Sequence, residues 1–168
     1  MSQMEQVQIR RARPEDAKAI AELARAFQGV SIDWLIEQKF GLIEGTNWFE
    51  RKSRALEAEV LAEPESALVA EVDGRVVGFV TTRYDSRLRV GHIPNLAVAE
   101  DFQGKGIGKK LMQAAYELLR DKGAKWLAIE TLTVNERGQR FYPKLGFEEV
   151  ARKIYYFMPI ENWRSPEQ

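Results

Sequence analysis

The chain has 168 residues, of which 25 are basic and 25 acidic, with one histidine and no cysteine. That length suits about one domain, folding to roughly 8,500 Å² of surface and burying about 70% of what the unfolded chain exposes, so no disulfide or metal staple is needed. The missing cysteines exclude thiol nucleophiles, redox CxxC pairs and zinc ribbons; His92 alone makes no metal site, so no metal is expected, and balanced charge gives no argument for nucleic acid or an anionic membrane.

The first residues lack the basic head and apolar stretch of a signal peptide. No apolar run approaches the ~18 residues that span a bilayer, so the expected location is cytoplasmic. Alternation over 7–11 predicts a strand. Pro14 suits a first helical turn, and Ile20, Leu23 and Phe27 continue at helical spacing to about 28. Ile32, Leu35, Ile36, Phe40 and Ile43 repeat that period, and Asn47 with Glu50 three positions on opens a second start. The region 31–62 therefore reads as one broken helix or two short ones. Leu68, Ala70 and Val72 share a strand face, Asp73-Gly74 is a two-residue hairpin turn, and the return strand runs over 76–84. A third strand, 90–98, carries Pro94, which cannot donate to a ladder and so predicts a bulge or break. Ile107, Leu111, Ala115, Leu118 and Leu119 mark an amphipathic helix closed by Gly123. A strand over 126–133, a helix from Asn135 to about Lys144, and a last strand over 147–157 complete the order β-α-α-β-β-β-α-β-α-β, a mixed α/β layer structure. Residues 164–168 read as a tail.

The stretch around Gln103-Gly-Lys-Gly-Ile-Gly-Lys-Lys110 carries most of the chemistry. Gly104, Gly106 and Gly108 remove side chains where backbone amides would approach a ligand closely. The following helix adds free N–H groups and a partial positive charge, and Lys105, Lys109 and Lys110 add whole charges. The expected ligand is a phosphate or pyrophosphate; the plainer reading is a tight strand-to-helix turn with solvated lysines. The spacing departs from a Walker loop, because Gly104 and Gly108 enclose only three residues and Lys110 replaces the magnesium-holding hydroxyl. It also departs from a dinucleotide fingerprint, which needs glycine or alanine where Lys109 stands, although Glu130 imitates the ribose-binding acid. A dinucleotide-dependent oxidoreductase stays as an alternative.

At these residues the chain resembles the GNAT superfamily of N-acetyltransferases, whose phosphate loop Q/R-x-x-G-x-G/A is matched by Gln103-Gly104-Lys105-Gly106-Ile107-Gly108. A second match is Asn135-x6-Tyr142-x3-Gly146-Phe147. The element order from about 7 to 157 fits as well, so the resemblance implies a GNAT-like fold over nearly the whole chain. It implies acetyl-CoA as cosubstrate and direct transfer to a primary amine of a small molecule or peptide, without a metal. Main-chain groups of the Leu96-Ala97-Val98 strand would pair with the pantetheine arm. The turn from Gln103 to Gly108, extended to Lys109, would hold the pyrophosphate. Asn135 would contact the pantetheine arm, or cap its helix, or both. Tyr142 would protonate the departing sulfur. The resemblance leaves a homodimer open.

The amine's own proton needs a destination. An alkyl amine of pKa ~10.4 is uncharged in only about 1 in 2,500 molecules at pH 7, a penalty of roughly 4.6 kcal/mol. Family members often place a carboxylate near where Asn95 stands, and asparagine cannot serve. Glu130 and His92 are the remaining candidates beside a water chain. That missing carboxylate also motivates an alternative, a non-catalytic acyl-CoA sensor. Trp34, Phe40, Trp48 and Phe49 either line an acceptor cleft or fill the helix core.

Overall fold

The computed structural model describes residues 6–167. Alternating apolar residues build β1 (Gln8–Arg11), β2 (Ala67–Val72), β3 (Arg75–Asp85) and β4 (Val90–Val98), each antiparallel to the next. Asp73 and Gly74, both in the left-handed region at φ 49° and 76°, make the predicted β2–β3 turn. From β4 the chain crosses over through α4 (Ile107–Lys122) to β5 (Trp126–Ala128), which lies parallel to β4 at the sheet edge. Crossover of this kind is what a parallel neighbour requires.

Each sheet face buries one helical layer. Leu111, Ala115 and Leu119 of α4 pack on Val77, Val80 and Ile93. On the other face Ile20 of α1 (Ala17–Glu22) and Leu56 and Val60 of α3 (Trp48–Ala62) pack on Val69, Phe79 and Ala97. The region 31–62 resolves into α2 (Ile32–Phe40) and α3, because Gly41, Glu44 and Gly45 all take positive φ between them and Asn47 caps α3 reciprocally with Glu50. The α/β class and the mixed, mostly antiparallel sheet are as expected.

Pro94 acts as its chemistry predicts. Thr81 pairs with Asn95 but Arg83 pairs with His92, so β4 advances three residues while β3 advances two. The extra residue reverses which face each side chain takes. Gly91 and Ile93 face α4, where a Cβ on Gly91 would lie 2.8 Å from Leu119 Cδ1. Beyond the bulge, Ala97 faces the α1–α3 layer and Asn95 reaches Lys52 of α3.

Four predicted elements differ from what forms. The first helix is a short α1 between two 3₁₀ turns, Pro14–Asp16 and Leu23–Phe27. The helix after Asn135 is α5 (Glu136–Phe141) followed by a 3₁₀ turn, Tyr142–Leu145, as Pro143 cannot continue an α-helical ladder. The strand expected over 126–133 stops at Ala128, where pairing with β4 ends at His92. The strand expected over 147–157 does not form: among the described residues no backbone–backbone hydrogen bond involves 148–158. Alternation supplies a face, but a strand also needs a partner edge, and β5 offers only three residues. Val150 and Tyr156 are accordingly 95% and 87% exposed, and the total surface, 11744 Å², exceeds the roughly 8,500 Å² that chain length predicts.

A buried ion pair fastens β1 to the first turn. Arg10 donates to both carboxylate oxygens of Asp16 at 2.8 and 3.0 Å and to Glu71 at 2.8 Å. The Arg10 guanidinium, helped by the N–H of Arg13, holds Asp16 below its ordinary 3.8 against the opposing effect of burial. A depressed carboxylate stabilises the fold above its unfolded pKa and loses that stability as pH falls through the folded one. Asp16→Asn should therefore cost about 3 kcal/mol at neutral pH, with a difference from wild type that shrinks below pH 4. Urea unfolding at pH 7 and pH 3 checks this.

Candidate active site

β4 and β5 pair only from Val90 to His92, so β4 has a free edge over its remaining residues. The N–H of Ala99 donates to Val77 O at 2.7 Å, towards β3. By the strand alternation Leu96 and Val98 turn their N–H and C=O groups the other way, to the open edge. Ala97 points its main chain at β3, opposite Phe79, and its side chain into the core. On the open edge Val98 O accepts from Gln103 Nε2 at 2.9 Å. Gln103 Oε1 in turn accepts from Arg137 of α5 at 2.5 Å, which ties the loop to the helix bearing Asn135.

The loop that follows is shaped by backbone rather than by packing. Gly104 and Gly106 sit at φ 79° and 81°, and a Cβ on either would meet nothing within 4 Å. They are glycines because the left-handed conformation demands it. Gly106 is the N-cap of α4 and offers no side-chain cap, so the first N–H groups of that helix have no capping side chain among the described residues. Ile107 is fully buried and pins the helix start to the core. Gly108 has ordinary helical φ, and its Cβ would make only normal contact with Phe141 Cζ at 3.7 Å. Lys105, Lys109 and Lys110 are exposed and form no ion pair among the described residues. Lys105 Nζ lies 5.0 Å over the Phe102 ring.

Asn135 caps α5, accepting from Gly138 N at 3.0 Å through Oδ1. Its Nδ2 finds no protein acceptor among the described residues and remains a free donor. Tyr142 is half-buried between Phe141 and Phe147, with ring centroids 5.3 and 6.1 Å away. Burial pushes its phenol above the ordinary 10.0, and its hydroxyl has no protein partner among the described residues. It is a neutral donor across the physiological range.

Glu130 and His92 both line an open cavity of about 630 Å³, between the β3–β4 turn and the chain leaving β5. Glu130 accepts from the Tyr155 hydroxyl at 3.4 Å. Trp34 and Trp48 stack edge-to-face at 5.7 Å, and Trp48 is buried against Phe49, so these rings pack at the α2–α3 interface.

Asn95 is committed to a network that sequence reasoning missed. It donates to Thr81 Oγ1 at 2.9 Å and to Glu59 Oε2 at 3.4 Å, and accepts from Lys52 Nζ at 2.8 Å. Burial pushes the Lys52 ammonium below its ordinary 10.5, against the pull of Asp33 and Glu59. One signal was available: Lys52 is a charge at helical spacing within the apolar stripe Phe49, Leu56, Val60. Arg137 gave none, since its partner is 34 residues away.

Comparison with known proteins gives consistent likenesses. The family described as Acetyltransferase (GNAT) family matches residues 30–147. The chain is 30% identical over 162 residues to an aminoglycoside N(6')-acetyltransferase type 1 of Stenotrophomonas maltophilia, covering 91% of this chain and 94% of that one. It is 34% identical over 99 residues to N-alpha-acetyltransferase 30 of Schizosaccharomyces pombe, covering 56% of this chain and 65% of that protein, just under two thirds of its length. The PaiA N-acetyltransferase of Thermoplasma acidophilum, solved in complex with coenzyme A, shares the fold at TM-score 0.66 and 22% identity, covering 85% of this chain and 90% of that one.

Proposed function

Because the chain belongs to the acetyltransferase (GNAT) family and is an acetyltransferase, we propose that it uses acetyl-CoA and transfers the acetyl group directly to a primary amine of a small molecule or peptide. We read residues 1–168 as one such domain. The observation that carries the reading is the 103–108 loop, with two left-handed glycines and an uncapped helix start beside an unpaired strand edge. These residues fit the cosubstrate. Amides of the loop and of Gly108 and Lys109 would receive the diphosphate, with Lys105 and Lys109 countering its charge. Main-chain groups of Leu96 and Val98 and the free Nδ2 of Asn135 would hold the pantetheine amides, and Val98 O is reached by displacing Gln103 Nε2.

Acetyl-CoA supplies an activated thioester; this chain supplies position and protons. In the transfer a nitrogen–carbon bond forms and the carbon–sulfur bond breaks. Glu130 accepts, directly or through water, the proton that the ammonium loses before attack; Tyr142 donates its phenolic proton to the sulfur that leaves, and the second proton, released as the attacked nitrogen becomes an amide, restores the phenol through water. His92 lines the same cavity and is the second candidate for that role.

Coenzyme A at about 100 times its Kd should stabilise the protein by about 2.7 kcal/mol, which raises Tm by about 5 to 10 °C in a chain of this size. NAD should give no shift. A flat melting curve with coenzyme A, or no thiol released across a broad amine panel, sinks the reading; tight binding with no release anywhere would instead identify a sensor.

A further inference from the structure

The cavity that Glu130 and His92 share also holds a cation, and its register fixes how the charges are spaced. Arg83 pairs with His92 and His92 with Ala128, so the three form one row across β3, β4 and β5. Neighbouring strands are about 4.8 Å apart, which sets the backbones of Arg83 and Ala128 about 10 Å from each other. Glu130 follows Ala128 by two residues and lines the same cavity. A guanidinium from β3, an imidazole from β4 and a carboxylate from the chain after β5 thus line one cavity.

Four charged side chains line this space, and two are already committed. Asp85 accepts from the N–H groups of Arg87 and Leu88 at 2.9 and 3.2 Å and lies 3.9 Å from Arg87 Nε, closing the β3–β4 turn. Arg83 has no ion pair among the described residues. Among the described residues Glu130 has only the Tyr155 hydroxyl, at 3.4 Å. The uncommitted charges are therefore one of each sign. A purely cationic ligand would satisfy Glu130 and meet repulsion from Arg83; a purely anionic one would do the reverse. A molecule carrying both charges a few bonds apart answers both, with its carboxylate forked by the guanidinium. The cavity opens at the pairing limit of β4 and β5, beside the strand edge assigned above to the thioester arm. Its volume, about 630 Å³, is that of a small-ligand pocket.

We propose that this cavity is the acceptor subsite and that the acceptor is an amine bearing a carboxylate, its ammonium on the Glu130 side and its carboxylate on Arg83. The inference rests on the acetyl-transfer reading of the same site and adds the substrate class. The carboxylate could belong to a free amino acid or to an acidic side chain beside a peptide's amino end, and both present the same pair of charges.

Thiol release at saturating acetyl-CoA tests it in two arms: free amino acids against their C-terminal amides, and tetrapeptides with Asp, Ser or Lys in second position. The carboxylate member of at least one arm should show kcat/KM about tenfold or more above its neutral partner, and the arm in which it does identifies the source. Arg83→Met, a change at an exposed position, should bring that ratio close to one by raising KM for the acid member, and Arg83→Glu should invert it. Equal kcat/KM for acidic and neutral members in both arms overturns the inference while leaving acetyl transfer intact. So does an unchanged ratio in Arg83→Met, or a polycationic aminoglycoside as the best acceptor. No release with any acceptor removes the transfer reading and this inference together.

Discussion

Replacing Tyr142 with phenylalanine is expected to lower kcat by about 10²- to 10³-fold, the range for loss of a positioned general acid, with the Kd for coenzyme A within about twofold of wild type. The variant is clean for structural reasons. The ring keeps its edge contacts with Phe141 and Phe147, and the hydroxyl leaves no group unpaired because it has no partner among the described residues. The pH profile separates this role from a packing role. Burial holds the phenol above its ordinary 10.0, so the donating, protonated form persists as pH rises through 9, and the acid itself imposes no alkaline fall there. The rise of rate with pH then belongs to deprotonation of the amine. In Tyr142→Phe the sulfur must leave unprotonated or take its proton from water, so kcat should fall at every pH with the rising limb kept. Wild-type kcat throughout would take Tyr142 out of the mechanism.

What the sequence made legible followed from whether a signal was local. Asp73-Gly74 and Pro94 each impose a backbone consequence on their own segment, and the hairpin and the bulge formed where they stand; Gly104 and Gly106, expected for close approach to a ligand, take left-handed φ as well. The helical stripes of α3 and α4 likewise carry their own period. The strand over 147–157 failed because its condition is not local. Its alternation is real, but the edge it would join ends at Ala128, and nothing within 147–157 reports the length of β5. The same reason hid the Asn95 network, which joins residues 36 to 43 positions apart on α3 and β4. It gives asparagine a role at a spot where a carboxylate was expected: beside a half-buried lysine, a neutral amide accepts from the ammonium and donates to Thr81 and Glu59 together, which a carboxylate could not do. The row Arg83–His92–Ala128 is likewise a product of register, set by the one-residue bulge, and would fall on different neighbours without it.

The phosphate loop yields a sharper test at Gly108 than at the glycines with positive φ. Gly104→Ala forces a left-handed alanine at about 1 to 2 kcal/mol, so any loss of binding there mixes with loss of fold. Gly108 is different. Its backbone is helical and a Cβ has room, with only Phe141 Cζ at 3.7 Å. In the free protein Gly108→Ala should therefore stabilise the fold, by about 0.5 to 1 kcal/mol, because glycine is a poor helix residue. A single methyl here lies within the pattern Q/R-x-x-G-x-G/A that the loop matches, so Gly108→Ala should melt higher than wild type and bind coenzyme A within about threefold of it. A longer acidic side chain is different. The Cα–Cβ bond in a first turn tilts towards the helix N-terminus, so Gly108→Glu brings a carboxylate to the uncapped N–H groups where the diphosphate would sit. Gly108→Glu should bind coenzyme A about 100-fold more weakly than Gly108→Ala, a difference of about 2.8 kcal/mol. Undiminished affinity in a folded Gly108→Glu would mean that the diphosphate is held elsewhere.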